Sequence, residues 1–187
     1  DNTLRGSLTA TGGYGYAGGA GIGSRGNEGA TSVTIENITI EGNAYVKAYG
    51  QGNASGIGGG YGGNAKNITI EDNAYVVAKG GGAGIGSGIG GGSSDVKIQG
   101  DTVTVVAEGS YTGIGGHCRG SDTSETSTIE ISGGTVYANG LYGRDGVSIG
   151  SVGGNSEITI SGHAKVKNIG QMGSNGTSKA EAEKINA

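Results

Sequence analysis

The residues of this chain that could do chemistry fall into three groups. His117-Cys118-Arg119, with Asp122 close behind, offers a thiol, an imidazole and a guanidinium. A nucleophilic thiolate needs a base within reach and an electropositive setting. Neighbouring residues of a strand point to opposite faces, so His117 and Cys118 are badly placed to activate each other. Cys118 therefore reads as a small core residue and His117 as a corner residue. The second group is acidic: Glu41 and Glu71, at equivalent positions of a repeat, with Asp72 adjacent. Directly opposed like charges destabilise a sheet, and a hard cation such as Ca²⁺ would relieve them through oxygen ligands. Splayed, solvated side chains are the simpler relief. The third group is Tyr45, Lys47, Tyr75 and Tyr137, all at outward positions of strand-like segments. Aromatic rings among hydroxyls on a sheet make a platform for sugar rings or a partner surface. The fit of tyrosine to a pleated surface also explains them without a ligand.

What positions these groups is a repeat. Gly21-Ile22-Gly23 returns as Gly56-Ile57-Gly58, Gly84-Ile85-Gly86, Gly113-Ile114-Gly115 and Ser148-Ile149-Gly150. Successive isoleucines lie 35, 28, 29 and 35 positions apart. An Ile-x-Ile segment (Ile38 to Ile40, Ile68 to Ile70, Val96 to Ile98, Ile129 to Ile131, Ile158 to Ile160) and a Val-x-Ala segment (Val46 to Ala48 and its echoes) travel with the cassette. Three short extended segments in a period of about 30 residues predict a right-handed parallel β-helix of five to six coils, all-β, with three strands per coil. Side-chain alternation sends the first and third residues of each triplet inward and the middle one outward. Lys97 beside Glu130 then reads as an exposed cross-strand ion pair. Leu8-Thr9-Ala10 matches the Val-x-Ala segment, so residues 1–20 form a partial first coil. The β-helix is expected over 1–170, with 171–187 as a C-terminal cap or linker. Ser178-Lys179-Ala180-Glu181 has capping-box spacing and predicts a short helical turn there. Length varies at one corner, where Arg25 to Ser32 and Arg119 to Ser127 are longer insertions. At another corner Glu41-Gly42-Asn43-Ala44 aligns with Glu71-Asp72-Asn73-Ala74 and Ser161-Gly162-His163-Ala164. The third position, Asn43, Asn73 and His163, is expected to be left-handed, because Asn and His tolerate positive φ.

Composition narrows the classes. Glycine supplies 46 of 187 residues while Pro, Phe and Trp are absent, so the interior must be built from Ile, Val and Ala. The net charge of −4, without a basic block, argues against nucleic acid. No apolar run is long enough for a spanning helix, so no membrane insertion is expected. One cysteine excludes an intrachain disulfide. The chain opens at Asp1 with neither Met nor a signal peptide, which reads as a mature or excised piece. Gly21-x-Gly23-x-x-Gly26 matches a dinucleotide pattern in letters only, since no helix follows.

The GAGIGS, SGIGGG and TGIGGH cassettes, with their ITIEGNAYVKA-like partners, resemble Gly-rich β-helix repeats in large surface proteins of Gram-positive bacteria. The resemblance implies an extracellular or cell-surface location and roles in adhesion, glycan contact or spacing. A polysaccharide-active enzyme on the same scaffold is the alternative. It would need carboxylates clustered over neighbouring coils, and only Glu41, Glu71 and Asp72 come close. End-to-end assembly into fibres is a further expectation. An ice-binding threonine array is interrupted by Lys97 and Glu130 in the column that holds Thr39, Thr69 and Thr159. The chain is thus expected to be non-catalytic, to need no cofactor beyond a conceivable Ca²⁺, and to contact glycans or cell-surface macromolecules.

Overall fold

The structure is a computed structural model that describes residues 5–27, 33–117, 125–141, 146–169, 171–174 and 178–182. The described chain is a parallel β-solenoid whose strands cycle through three sheets, six strands in each. The Val-x-Ala segments form the first sheet: β1 (Ser7–Thr11), β4 (Tyr45–Tyr49), β7 (Tyr75–Gly80), β10 (Thr104–Gly109), β13 (Thr135–Gly140) and β16 (Lys165–Ile169). The glycine cassettes form the second: β2 (Ile22–Gly23), β5 (Ile57–Gly58), β8 (Ala83–Gly86), β11 (Thr112–His117), β14 (Val147–Val152) and β17 (Gln171–Ser174). The Ile-x-Ile segments form the third: β3 (Val33–Ile40), β6 (Gly63–Ile70), β9 (Ser94–Ile98), β12 (Thr126–Ile131), β15 (Asn155–Ile160) and β18 (Ser178–Ala182).

Register stacks like on like. Val46, Val76, Val105 and Val136 follow one another in the first sheet. Ile57, Ile85, Ile114 and Ile149 do so in the second, and Ile68, Val96, Ile129 and Ile158 in the third. Most of these side chains are fully buried and meet in one core. Each buried aliphatic side chain contributes roughly 1.5–3 kcal/mol, so small residues repeated along the axis replace the aromatic core that the composition denies.

Two expectations change. The four-residue corners are left-handed at their second position, not their third: Gly42 (φ 66°), Asp72 (φ 61°) and Gly162 (φ 59°). The Ala74 N–H donates to the Glu71 carbonyl, closing a turn whose first central residue is Asp72. Turns of inverse type take positive φ at that first central residue. Positive φ in asparagine occurs elsewhere, at Asn37 (φ 62°) and Asn67 (φ 53°). There the β3–β6 pairing skips one residue, and the Asn67 Nδ2 donates to the Asn37 Oδ1 at 3.1 Å. The second change lies at the C-terminal end. Ser178–Ala182 is a strand in register with Ser156 to Ile160, not a helical turn. The unpaired edge of β15 offers a full ladder of backbone partners, which outweighs the few tenths of a kcal/mol to ~2 kcal/mol that a cap supplies.

Candidate functional site

The glycine sheet shows why one side of the solenoid is closed to side-chain chemistry. Gly23, Gly58, Gly86, Gly115 and Gly150 all have φ between 123° and 142°. A Cβ on Gly86 would stand 2.0 Å from the carbonyl oxygen of Gly115, and one on Gly115 would stand 1.8 Å from that of Gly150. Only glycine permits this approach, so the cassette is a ladder of bare backbone. Beside it runs a buried hydroxyl column absent from the sequence-based expectations. Ser94 Oγ donates to the Gly115 carbonyl at 2.9 Å and accepts from the Ser87 N–H at 2.8 Å. Ser127 Oγ accepts from the Ser94 N–H at 3.2 Å and from Ser151 Oγ at 2.8 Å. Ser156 continues the column, and among the described residues its buried hydroxyl has no partner. The signal was present in the sequence: each serine stands two residues before the inward Val96, Ile129 or Ile158.

The isoleucine sheet presents a polar outer face. Asn67, Thr69, Asp95, Lys97, Thr128 and Glu130 line a shallow open depression of about 560 Å³. Lys97 stands opposite Glu130 in register, yet no ion pair closes between them among the described residues. The pair that does form is Lys79 Nζ to Glu108 Oε2, at 2.6 Å, on the first sheet. Two of the three acidic candidates are engaged within the protein. Asp72 Oδ2 accepts the Gly42 N–H at 3.0 Å, and the Gln99 side-chain amide donates to Glu71. Glu41 lies on the corner preceding Gly42, at the rim of an apolar recess with Leu8, Ile22 and Val46. Among the described residues no group of three or more His, Cys, Asp or Glu side chains is placed to share a metal ion. His163 Nδ1 lies 3.2 Å from Asp101 Oδ1 on the exposed corner. Cys118, Arg119 and Asp122, most of the Arg119 to Ser127 insertion, and residues 28–32 of the other insertion fall outside the described residues, as does the side chain of His117.

The first sheet carries the aromatic candidates, and register brings two of them, Tyr45 and Tyr75, together. Tyr45 and Tyr75 are cross-strand partners with ring centroids 5.2 Å apart and planes tilted by 41°. Lys47 Nζ lies 5.4 Å from the centre of the Tyr45 ring. Tyr137 lies two strands beyond Tyr75, next to Val106 and opposite Lys167. It is 40% exposed, and Lys167 Nζ sits 5.5 Å from its ring centre. Val77 and Val106 are register partners, half-buried, between the two tyrosine clusters. Tyr49, opposite Lys79, extends the face and escaped the sequence reading because it lies one residue beyond the Val-x-Ala triplet. Strands from five successive coils thus build one outward surface of rings, aliphatic groups and amines.

A second aromatic cluster escaped notice because it sits on a loop outside the repeat. Tyr16 and Tyr61 have ring centroids 5.7 Å apart. Tyr14 (95% exposed), Tyr16 (65% exposed) and Arg25 rim a recess of about 400 Å³ walled by the glycine backbone of residues 13–26. No known protein family matches the chain, and neither the curated proteins nor the solved structures contain a match.

Proposed function

We propose that the chain is a non-catalytic extracellular module of a bacterial surface protein, and that it contacts glycans through the outer face of its first sheet. The observation that carries this reading is the half-exposed Tyr45–Tyr75 pair with Tyr137 and the Val77–Val106 strip between them, aligned across consecutive coils. Sugar rings present apolar C–H faces edged with hydroxyls, and tyrosine answers both with its ring and its phenol. Neighbouring strands are about 4.8 Å apart, so the face repeats along the solenoid axis as a linear polymer does. The likeness of the cassettes to Gly-rich surface repeats supports this location. The same repeats support a spacer role, in which the solenoid holds its face at a distance from the cell.

Catalysis has less to rest on. Asp95, Lys97 and Glu130 share the depression on the isoleucine sheet, but it is shallow and open to water, and a catalytic carboxyl pair works best where water is excluded. The test is a broad glycan array probed with the protein and with a Tyr45→Ala/Tyr75→Ala/Tyr137→Ala variant whose fold is checked by circular dichroism. Selective binding that the variant loses supports the reading. Binding that survives in the variant moves the site, with the Tyr14, Tyr16 and Arg25 recess the next place to look. Absence of binding by both proteins leaves a spacer, and the tyrosines are then sheet packing.

A further inference from the structure

The charge of the protein is unevenly distributed. The chain as a whole carries −4. Yet the outward positions of the first sheet, read from its register, hold Lys47, Lys79, Lys165 and Lys167 against one acid, Glu108. Lys79 is neutralised by Glu108. Among the described residues no carboxylate lies within ion-pair distance of Lys47, Lys165 or Lys167. Two of these three amines sit beside tyrosine rings, Lys47 at Tyr45 and Lys167 at Tyr137. A positively charged face on an acidic protein is a local field that selects and steers an anionic ligand.

We propose that this face binds a linear acidic polysaccharide, carboxylated or sulfated, laid across the strands along the solenoid axis. The inference rests on the reading that the face contacts glycans, and it specifies which. Lys47 and Lys167 lie in one column, with Val77, Val106 and Tyr137 between them. Four strand spacings separate them, about 19 Å. Lys165 stands two residues from Lys167 on the same strand, and Tyr45, Tyr75 and Tyr137 fall along the path. Amines bind the acid groups while rings stack on the sugars between them. The sparse charge sets the class of polymer. Duplex DNA carries a phosphate about every 3.4 Å along each strand, far denser than three amines over this length, and the acidic remainder of the protein repels such a chain. An acidic polysaccharide with one charge per sugar or per pair of sugars fits the spacing.

The test immobilises the protein and measures binding of polygalacturonate (carboxylated), heparin (sulfated), uncharged dextran and oligo(dT), each from 50 to 200 mM NaCl. Two variants run alongside: Lys47→Gln/Lys165→Gln/Lys167→Gln, and Lys66→Gln/Lys97→Gln on the isoleucine sheet. Binding of one or both acidic polysaccharides is expected, and which of them binds identifies the acid group. With three charges engaged, affinity should fall on the order of tenfold over that salt range. The triple lysine variant should lose at least tenfold, and the isoleucine-sheet variant should match the parent. Equal, salt-independent binding of dextran that the triple variant retains overturns the acidic class but leaves glycan contact standing. Tighter binding of oligo(dT) than of either acidic polysaccharide overturns it in favour of nucleic acid. If no polymer binds and the array is also blank, the glycan reading of the face falls with it.

Discussion

Replacing Gly86 by alanine tests the backbone ladder that holds the coils in register. Gly86 has φ 131°, and its Cβ would lie 2.0 Å from the Gly115 carbonyl oxygen and 2.8 Å from Ser94 Oγ. Neither neighbour is free to yield: both belong to the buried ladder, and Ser94 Oγ holds the Ser87 N–H and the Gly115 carbonyl. Backbone strain in this region costs about 1–3 kcal/mol and overpacking a tight interior about 1–3 kcal/mol. Together they give a loss of about 2–6 kcal/mol, or roughly 4–24 °C in Tm for a chain of this size. Gly42→Ala is the matched control. It has positive φ (66°) but open space around the missing Cβ, so strain alone remains, about 1 kcal/mol. Urea unfolding of both variants, with m compared to the parent, separates the contributions. A Gly86→Ala loss no larger than that of Gly42→Ala would refute the reasoning, because the close approach of the coils would then carry no energy.

Ser94→Ala should cost about 1–2 kcal/mol, since the Ser87 N–H and the Gly115 carbonyl lose a buried partner, whereas Ser156→Ala should be neutral or stabilising by up to about 1 kcal/mol because its hydroxyl has no partner among the described residues; urea midpoints of the two variants give the comparison. Ile114→Ala, in the fully buried isoleucine column, should cost about 2–5 kcal/mol by the same measurement. Lys79→Ala should lower stability by no more than about 1 kcal/mol, because its ion pair is partly exposed, and calorimetry should show a Tm drop of at most about 2–4 °C. Excess Ca²⁺ or a chelator should leave Tm unchanged, since Asp72 and Glu71 already have hydrogen-bond partners within the protein; a rise with Ca²⁺ alone would restore the acidic corner as a cation site.

The inward-facing chemistry was legible in the sequence because it repeats. A stacked solenoid puts each coil's Val, Ile and Gly against its own copy, so periodicity alone yields the three sheets and the Tyr45–Tyr75 pair. What the repeat did not carry was harder to see. Asn37 and Asn67 look like ordinary strand residues, and their positive φ comes from a skipped pairing that exists only between coils. Ser94 and Ser127 are polar yet face inward, because buried partners meet them there: the Gly115 carbonyl for Ser94 and the Ser151 hydroxyl for Ser127. Ser178 to Glu181 has the local spacing of a helix start, and the open edge of β15 overrides it. Tyr14, Tyr16 and Arg25 lie on a loop without counterpart in other coils, so no alignment could gather them.

The most direct test of the central claim is to follow the ring resonances of the nine tyrosines in a ring-labelled sample while adding the glycan selected on the array. The account predicts that Tyr45, Tyr75 and Tyr137 shift together along one binding curve, while Tyr14, Tyr16 and Tyr61 stay still. Shifts confined to Tyr14, Tyr16 and Tyr61, or none at all at saturating ligand, would contradict it.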